Sequence, residues 1–203
     1  MMRYGNPSVI PLCGVACFAI FLMMSCAKET STQEFLIDGY RFIVPREHLL
    51  PSQVDWFPNL KPSGGFNFTI DPMLPLTEQF GVGLESRKSR CRPDKLKPGS
   101  MLADACSGNH EIQRFNDVSE LRKEFTYPAN DAFWHYTIQG SGASRTIVAS
   151  CYTAASSKAN DTCTAFGWYK SLVYSFSIKD QNIAHLNERR ASIESLLSKW
   201  ERQ

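Results

Sequence analysis

Cysteine is the residue type in this sequence whose spacing most clearly predicts chemistry. Seven cysteines are present, and the four in the body of the chain fall as two close pairs, Cys91 with Cys106 and Cys151 with Cys163. Four cysteines allow three pairings, and the local pairing closes two short loops. Each such loop contributes about 3 kcal/mol in the chain-entropy account of disulfides. The spacing therefore predicts two structural disulfides and an oxidising compartment.

Metal binding and thiol catalysis are the alternative uses of these cysteines. A four-cysteine zinc site would compete with oxidation, and the sequence contains no C-x-x-C spacing. A reactive thiol is not predicted, because every cysteine in the body of the chain has a plausible partner. We therefore expect no metal and no cofactor.

The remaining chemistry-bearing residues form no recognised catalytic motif. The histidines lack H-x-x-x-H spacing, and G-x-S-x-G, phosphate-binding and dinucleotide-binding motifs are absent from the sequence. A net charge of +2 also argues against a dedicated nucleic-acid binder. We predict a protein that is not an enzyme, although a serine or carboxylate site assembled only in the fold stays open.

Two groups of side chains are candidates for contact with a partner. The segment 87–97 reads RKSRCRPDKLK and is strongly basic, which suits an anionic partner surface. The alternative is a solvated loop that Cys91 holds in place. Aromatic and arginine side chains are also the types that anchor protein interfaces. The candidate partner-binding residues are Arg87, Arg90, Arg92, Lys95, Trp134 and His135.

The N-terminus has the pattern of an export signal. Arg3 precedes the uncharged run from Leu12 to Met24, whose 13 residues are too few to span a bilayer as a helix. Ser25-Cys26 ends this run and resembles a bacterial lipobox, in which the cysteine becomes diacylated. The resemblance implies a lipoprotein precursor anchored through Cys26. Ala27 after the cysteine resembles the outer-membrane sorting pattern and implies a periplasm-facing protein.

The predicted organisation follows from this signal. Residues 1–25 form the signal peptide, 26–33 the lipidated cysteine with a small polar tether, and 34–203 a single periplasmic domain. Ordinary signal cleavage after Ala27 is the alternative to lipidation, and it leaves the same domain.

The body of the chain is dominated by period-two alternation, which indicates β-strands. Asp38-Gly39 separates two apolar runs and predicts a β-hairpin with a type I′ turn. Further strands are predicted at 66–70, 80–84, 133–138 and 144–152, and Gly140-Ser141-Gly142 is predicted as a turn. The last strand is predicted to be long, running from Phe166 to Ile178 with Phe166 and Trp168 on the same face as Leu172 to Ile178, and with a bulge or edge at Lys170. The proline-rich stretch 45–62 is predicted to wrap over the sheet.

Two segments have helical spacing. Asn116-Asp117 can cap a short helix that carries Val118, Leu121 and Phe125. The second segment, 180–201, begins at Asp180 as N-cap and is clearly amphipathic. Its predicted apolar stripe comprises Ile183, Leu186, Ile193, Leu197 and Trp200. The fold class is therefore α+β, an antiparallel β-sheet with a C-terminal amphipathic helix packed on one face. The pattern leaves open whether the strands form an open sheet or a half-barrel.

In size, lipobox and disulfide-stapled single-domain plan, the chain resembles the periplasmic immunity lipoproteins of type VI secretion. The resemblance implies a protein partner, namely a toxin delivered into the periplasm, such as a phospholipase or a cell-wall hydrolase. The alternative is an envelope assembly or maintenance lipoprotein that docks on lipid or peptidoglycan through the basic segment. An enzyme of unknown specificity is the third reading.

Overall fold

The computed structural model describes residues 31–50, 64–75, 78–98, 100–106, 115–127, 130–139, 145–153 and 161–202. The chain divides into a unit ending at Ser31 and a unit from Thr32 to Gln203, and only the second contains the described secondary structure. Cys26 and the predicted signal peptide lie outside the described residues. So do Gly140-Ser141-Gly142 and most of the proline-rich stretch. Among the described helices, none has the length and hydropathy needed to cross a membrane.

Ten strands and three α-helices make up the described part of the fold. The strands are β1 Thr32–Ile37, β2 Tyr40–Pro45, β3 Gly65–Thr69, β4 Gly81–Ser86, β5 Arg122–Tyr127, β6 Asn130–Gln139, β7 Arg145–Tyr152, β8 Thr162–Tyr169, β9 Leu172–Lys179 and β10 Glu201–Arg202. The α-helices are α1 Arg87–Arg90, α2 Met101–Cys106 and α3 Leu186–Trp200, and 3-10 turns lie at Arg46–His48, Pro93–Lys95, Val118–Glu120 and Asp180–His185.

The strands form two antiparallel sheets. The larger sheet has the order β3-β4-β9-β8-β7-β6-β5, and the smaller has the order β1-β2-β10. In the described residues the end strands β3 and β5 do not pair with each other, so the larger sheet is open. The β1–β2 hairpin turns at Asp38 and Gly39, whose φ angles of 48° and 87° are the left-handed values that a type I′ turn requires. The predicted fold class and hairpin are confirmed.

The core lies between the inner face of the larger sheet, the smaller sheet and α3. The predicted helical stripe is confirmed, because all five of its members are buried. The Tyr174 ring crosses directly over Gly167, where a Cβ would lie 2.1 Å from the ring. The Tyr174 hydroxyl then donates to Glu194 of α3 at 2.9 Å. A side chain at Gly167 would therefore displace the Tyr174 ring, which contacts α3.

The predicted long final strand is wrong. The chain turns at Lys170 and Ser171 to form the β8–β9 hairpin, with Lys170 at φ 55°. Cys163, Ala165 and Gly167 are the buried residues of β8, so Phe166 and Trp168 lie on its outer face. The sequence marked an interruption at Lys170 but did not indicate a turn, because neither Lys170 nor Ser171 is a residue that favours positive φ.

The predicted cap at Asp117 is confirmed, but the extent of its helix and the start of the C-terminal helix differ from the prediction. Asp117 accepts a hydrogen bond from Ser119 N at 2.9 Å, as a cap does, but the turn ends at Glu120. Phe125 then belongs to β5 instead of a helix. Asp180 is not the N-cap of α3, because its carboxylate accepts from Trp134 Nε1 at 3.0 Å and the helix begins at Leu186.

Candidate partner-binding face

The outer face of the larger sheet is defined by the register of its strands. Residues directly opposite each other in neighbouring strands share a face. One row of such paired residues crosses five strands. A second row of paired residues lies next to it, nearer one end of the sheet. The first row comprises Glu124, His135, Ser150, Thr164 and Ser177, and the second comprises Phe133, Tyr152, Thr162 and Lys179.

The half of this face towards Trp168 is covered by the protein itself. The Arg87 guanidinium lies 5.4 Å from the centroid of the Trp168 ring, and that of Arg90 lies 5.6 Å from Phe166. Arg90 also donates to Glu85 at 3.1 Å. We call this region the covered half. Its arginines lie over aromatic rings of the same molecule, in the geometry of a cation–π interaction.

The segment that carries these arginines is fixed by the first disulfide. Cys91 and Cys106 are bonded, with their Cα atoms 5.5 Å apart. Arg87 donates to the carbonyl of Cys106 at 3.4 Å, and α2 packs against β7 and β8. The disulfide therefore closes the segment 91–106 into an excursion that lies on the sheet, and this predicted pairing is confirmed.

The other basic candidates, Arg92 and Lys95, contact residues within or next to the excursion. Arg92 forms a two-pronged hydrogen bond with Asp94, at 3.0 and 3.1 Å. Lys95 donates to the carbonyl of Ser89 at 3.0 Å. Both side chains reach solvent, but surface ion pairs of this kind contribute little to stability. The four predicted basic residues therefore lie in one segment, but their side chains do not converge on a common site.

The opposite half of the outer face exposes aromatic side chains. Phe133 and Tyr152 lie directly opposite each other on β6 and β7, and they are 48% and 43% exposed. They border a cavity of about 390 Å³ that is also lined by His135, Ser150 and Thr164. We call this region the open half. A cross-strand aromatic pair beside small hydroxyl side chains offers apolar area together with hydrogen-bonding groups.

His135 provides the polar centre of the open half. Its Nδ1 lies 3.0 Å from Ser150 Oγ, so the ring is oriented by the neighbouring strand. Burial lowers the pKa of His135 below its ordinary value, and the nearby Glu124 carboxylate opposes this shift. Glu124 itself accepts a hydrogen bond from Thr137 and pairs with Arg145. The imidazole is therefore neutral at pH 7 and can donate or accept a hydrogen bond towards the cavity.

Trp134 belongs to the core and not to the surface, which corrects its prediction as a partner contact. It is 2% exposed, on the inner face, and its indole donates to Asp180. Lys123 Nζ lies 4.0 Å from the ring centroid and 3.2 Å from Asp180. The role of Trp134 is structural, because a buried indole with its N–H satisfied packs the sheet from inside.

The second disulfide lies beneath the open half. Cys151 and Cys163 are paired directly across β7 and β8, as predicted, with Cα atoms 3.9 Å apart. Asp180 lies next to them, with Oδ1 3.7 Å from Cys163 Sγ. These three residues are close enough to ligate an ion, but the two sulfur atoms are bonded to each other. This cluster therefore braces the sheet and does not offer thiolate ligands.

Sequence reasoning selected His135 as a candidate on this face but did not select Phe133 or Tyr152. The signal was present for Phe133, since alternation places it on the same face as His135 and opposite the buried Trp134. Tyr152 joins it only through the register between β6 and β7, which no local pattern reveals.

No known family and no curated protein matches this sequence. Two solved structures align with it over most of their length. One is Smlt3025, an immunity protein of the Stenotrophomonas maltophilia type IV secretion system, with a TM-score of 0.45, 10% identity, and coverage of 86% of this chain and 94% of that chain. The other is the Neisseria meningitidis iron-regulated outer membrane lipoprotein FrpD, with a TM-score of 0.44, 9% identity, and coverage of 83% and 92%. At these low scores and identities the likeness carries no argument about function.

Proposed function

We propose that the protein is an envelope lipoprotein that binds a protein partner and does no catalysis. In this account Cys26 carries the lipid and the domain faces the periplasm from the outer membrane. The partner is a toxin that a type VI system delivers into the periplasm, and the protein acts as its immunity protein. It neutralises the toxin by occupying a surface that the toxin needs.

The open half is the observation that supports this proposal. Phe133 and Tyr152 are each nearly half exposed and lie next to each other, and adjacent exposed aromatic side chains are a feature of interaction sites. They surround a neutral, oriented imidazole and two hydroxyl groups, which supply directional contacts. Aromatic anchors beside polar groups are typical of protein interfaces.

Docking on lipid or peptidoglycan through the basic segment is the less favoured function. Arg87 and Arg90 already contact aromatic rings, and Arg92 already contacts a carboxylate. A ligand would have to displace these contacts before it could use the arginines.

A survival assay tests the proposed function. A strain lacking this protein is exposed to a rival that delivers the toxin, and its survival is compared with and without plasmid-borne protein. We expect the wild type to restore survival and the double variant Phe133→Ser/Tyr152→Ser to fail. Leu36→Ser is the matched control, because Leu36 is similarly exposed, at 47%, on the smaller sheet. If the deletion strain survives every delivered toxin as well as the strain that carries the protein, the immunity function is wrong.

The lipid anchor is tested separately by mass spectrometry of the mature N-terminus. We expect a diacylated Cys26 as the first residue, since a lipobox-like site directs both cleavage and acylation. A mature chain that begins with a free amine at Lys28 would contradict the anchor without affecting the binding face.

A further inference from the structure

The two disulfides differ in their access to solvent. Cys91 and Cys106 are both half-buried, and both line a cavity of about 470 Å³. Cys151 and Cys163, in contrast, are 3% and 0% exposed. A thiol must reach a sulfur atom before it can exchange with a disulfide, so access favours reaction at the first bond and not at the second.

The cavity beside the first disulfide has the size of a small-molecule site. The β1–β2 turn, α1, the disulfide and the β8–β9 turn surround it, and its other described lining residues are Asp38, Arg87, Lys88 and Ser171. Cavities of this volume accept small ligands and exclude a folded protein domain. A thiol of low molecular weight can therefore enter and lie next to the disulfide.

The charges around the cavity favour an anion. Lys88 is exposed, and its ammonium group has no hydrogen bond or ion pair with another described residue. The Arg87 guanidinium donates to the carbonyl of Cys106 at 3.4 Å, which places a cation next to that cysteine. Among the described lining residues Asp38 is the only carboxylate, and it accepts a hydrogen bond from Ser86 at 2.7 Å. The excess of positive charge attracts an anionic thiol and stabilises a departing thiolate.

The second disulfide has a carboxylate beside it instead. Asp180 Oδ1 lies 3.7 Å from Cys163 Sγ. A negative charge at this distance repels an anionic thiol and destabilises a thiolate formed by opening the bond. Lys123 pairs with the other oxygen of this carboxylate, so burial is the stronger of the two obstacles. The second disulfide therefore serves as an internal reference that should not exchange in the folded protein.

We propose that the Cys91–Cys106 disulfide is a site of thiol–disulfide exchange for a small thiol that carries a carboxylate or a sulfonate. The thiolate attacks one sulfur atom, a new S–S bond forms, and the Cys91–Cys106 bond breaks with its electron pair on the other cysteine. A second thiol molecule then attacks the mixed disulfide, which releases the second cysteine as a thiolate and leaves the two small thiols joined. Two electrons thus pass from two thiols to the protein. This inference goes beyond the proposed function and needs no protein partner.

Exchange at this bond would control access to the covered half. The disulfide closes the segment 91–106, and α2 at the end of this segment packs against β7 and β8. Opening the bond restores the conformational freedom that the closed loop lacks, so the excursion can leave the sheet. The aromatic rings of Phe166 and Trp168 then become accessible, while the open half is unchanged.

The test treats the folded wild-type protein with 2-mercaptoethanesulfonate, 2-mercaptoethanol or cysteamine, which are similar in size and differ in charge. Thiolate concentrations are equal and the ionic strength is low. Mass spectrometry of alkylated peptides follows each disulfide separately. We expect the first bond to open at least about tenfold faster than the second, and about three- to tenfold faster with the sulfonate than with cysteamine. Acrylamide quenching of Trp168 fluorescence should rise with the same rate constant.

Two charge variants show whether the cavity itself selects the anion. Lys88→Glu should remove most of the preference for the sulfonate, because it reverses a charge in the lining. Lys97→Glu is the matched control, since Lys97 is exposed in the adjoining excursion, does not line the cavity and gives the same change in net charge. It should keep the preference of the wild type.

Several results would overturn the inference. A rate that does not depend on thiol concentration means that the bond opens only after the protein unfolds. Equal rates for the two disulfides remove the distinction in access, and an equal loss of preference in the two charge variants assigns the effect to net charge and not to the cavity. Opening of the bond without a rise in Trp168 quenching would contradict the control of the covered half.

Discussion

The covered and open halves of the outer sheet face both contain aromatic side chains, but the two pairs of rings differ in whether the protein itself covers them. Both present a pair of aromatic rings, Phe166 with Trp168 and Phe133 with Tyr152. In the covered half two arginines of α1, just before the disulfide-closed excursion, lie over the rings. In the open half the rings remain nearly half exposed. The comparison shows that basic and aromatic residues can contact each other within one molecule instead of serving a partner.

The largest expected effect concerns the residue beneath the open half. Trp134→Ala should lower the free energy of unfolding by about 3–5 kcal/mol, because it leaves a cavity where a buried indole packed. Urea unfolding measures this change. Trp134→Phe keeps most of the volume but removes the hydrogen bond to Asp180, and it should cost about 1 kcal/mol. If Trp134→Ala leaves the stability unchanged and abolishes partner binding, Trp134 is an interface residue and its structural role is wrong.

Removal of the first disulfide should turn the covered half into a second exposed surface. Cys91→Ala/Cys106→Ala should cost about 3 kcal/mol of stability and allow the excursion to leave the sheet. Acrylamide quenching of Trp168 fluorescence should then rise, with Trp168→Phe as the reference. Cys151→Ala/Cys163→Ala is the matched control, since it removes a disulfide of similar loop length but leaves the excursion closed. Unchanged quenching in the first variant would mean that the arginines hold the excursion without the disulfide.

The arginines of the covered half should contribute to stability and not to binding. Arg87→Met/Arg90→Met keeps much of the side-chain volume and removes both cation–π contacts, so we expect a loss of about 1–2 kcal/mol in urea unfolding. Phe133→Ser/Tyr152→Ser, on exposed positions, should change stability by less than about 0.5 kcal/mol. If Phe133→Ser/Tyr152→Ser loses more free energy of unfolding than Arg87→Met/Arg90→Met, the distinction between the two halves is wrong.

The smallest expected effect is the pH dependence of the open half. Burial lowers the pKa of His135, whereas the unfolded imidazole titrates near its usual value of about 6.5. The unfolded state therefore binds more protons as the pH falls. The stabilising effect of the neutral ring is complete above the unfolded pKa and declines as the pH falls through the folded pKa. Between about pH 7.5 and about pH 5, wild type should lose more stability than His135→Gln, and an equal loss would place the titrating group elsewhere.

Local chemistry explains which elements could be predicted from the sequence. The β1–β2 hairpin follows from Asp38-Gly39, the α3 stripe from helical spacing, and both disulfides from close cysteine pairs. Each of these depends on residues that are near in the chain. Lys170 interrupts the apolar alternation, but no residue there indicates a turn, because its φ of 55° depends on the β8–β9 pairing.

Tertiary contacts explain the misassigned surfaces. Phe166 and Trp168 were predicted on the same face as Leu172 to Ile178, because alternation along the chain does not show that a two-residue turn separates two strands and reverses the order of their faces. Trp134 was placed at the interface because aromatic content alone does not separate buried rings from exposed ones. The open half required the register of four strands, which no local pattern reveals.

Calorimetric titration of the domain with the purified toxin tests most directly whether the open half is the binding surface. Three proteins are compared, namely the wild type, Phe133→Ser/Tyr152→Ser and Arg87→Met/Arg90→Met. The account predicts that the open-half variant binds about thirtyfold or more weakly, since two anchors are lost, while the covered-half variant stays within about threefold of the wild type. Wild-type affinity in the open-half variant, together with lost affinity in the arginine variant, would contradict it.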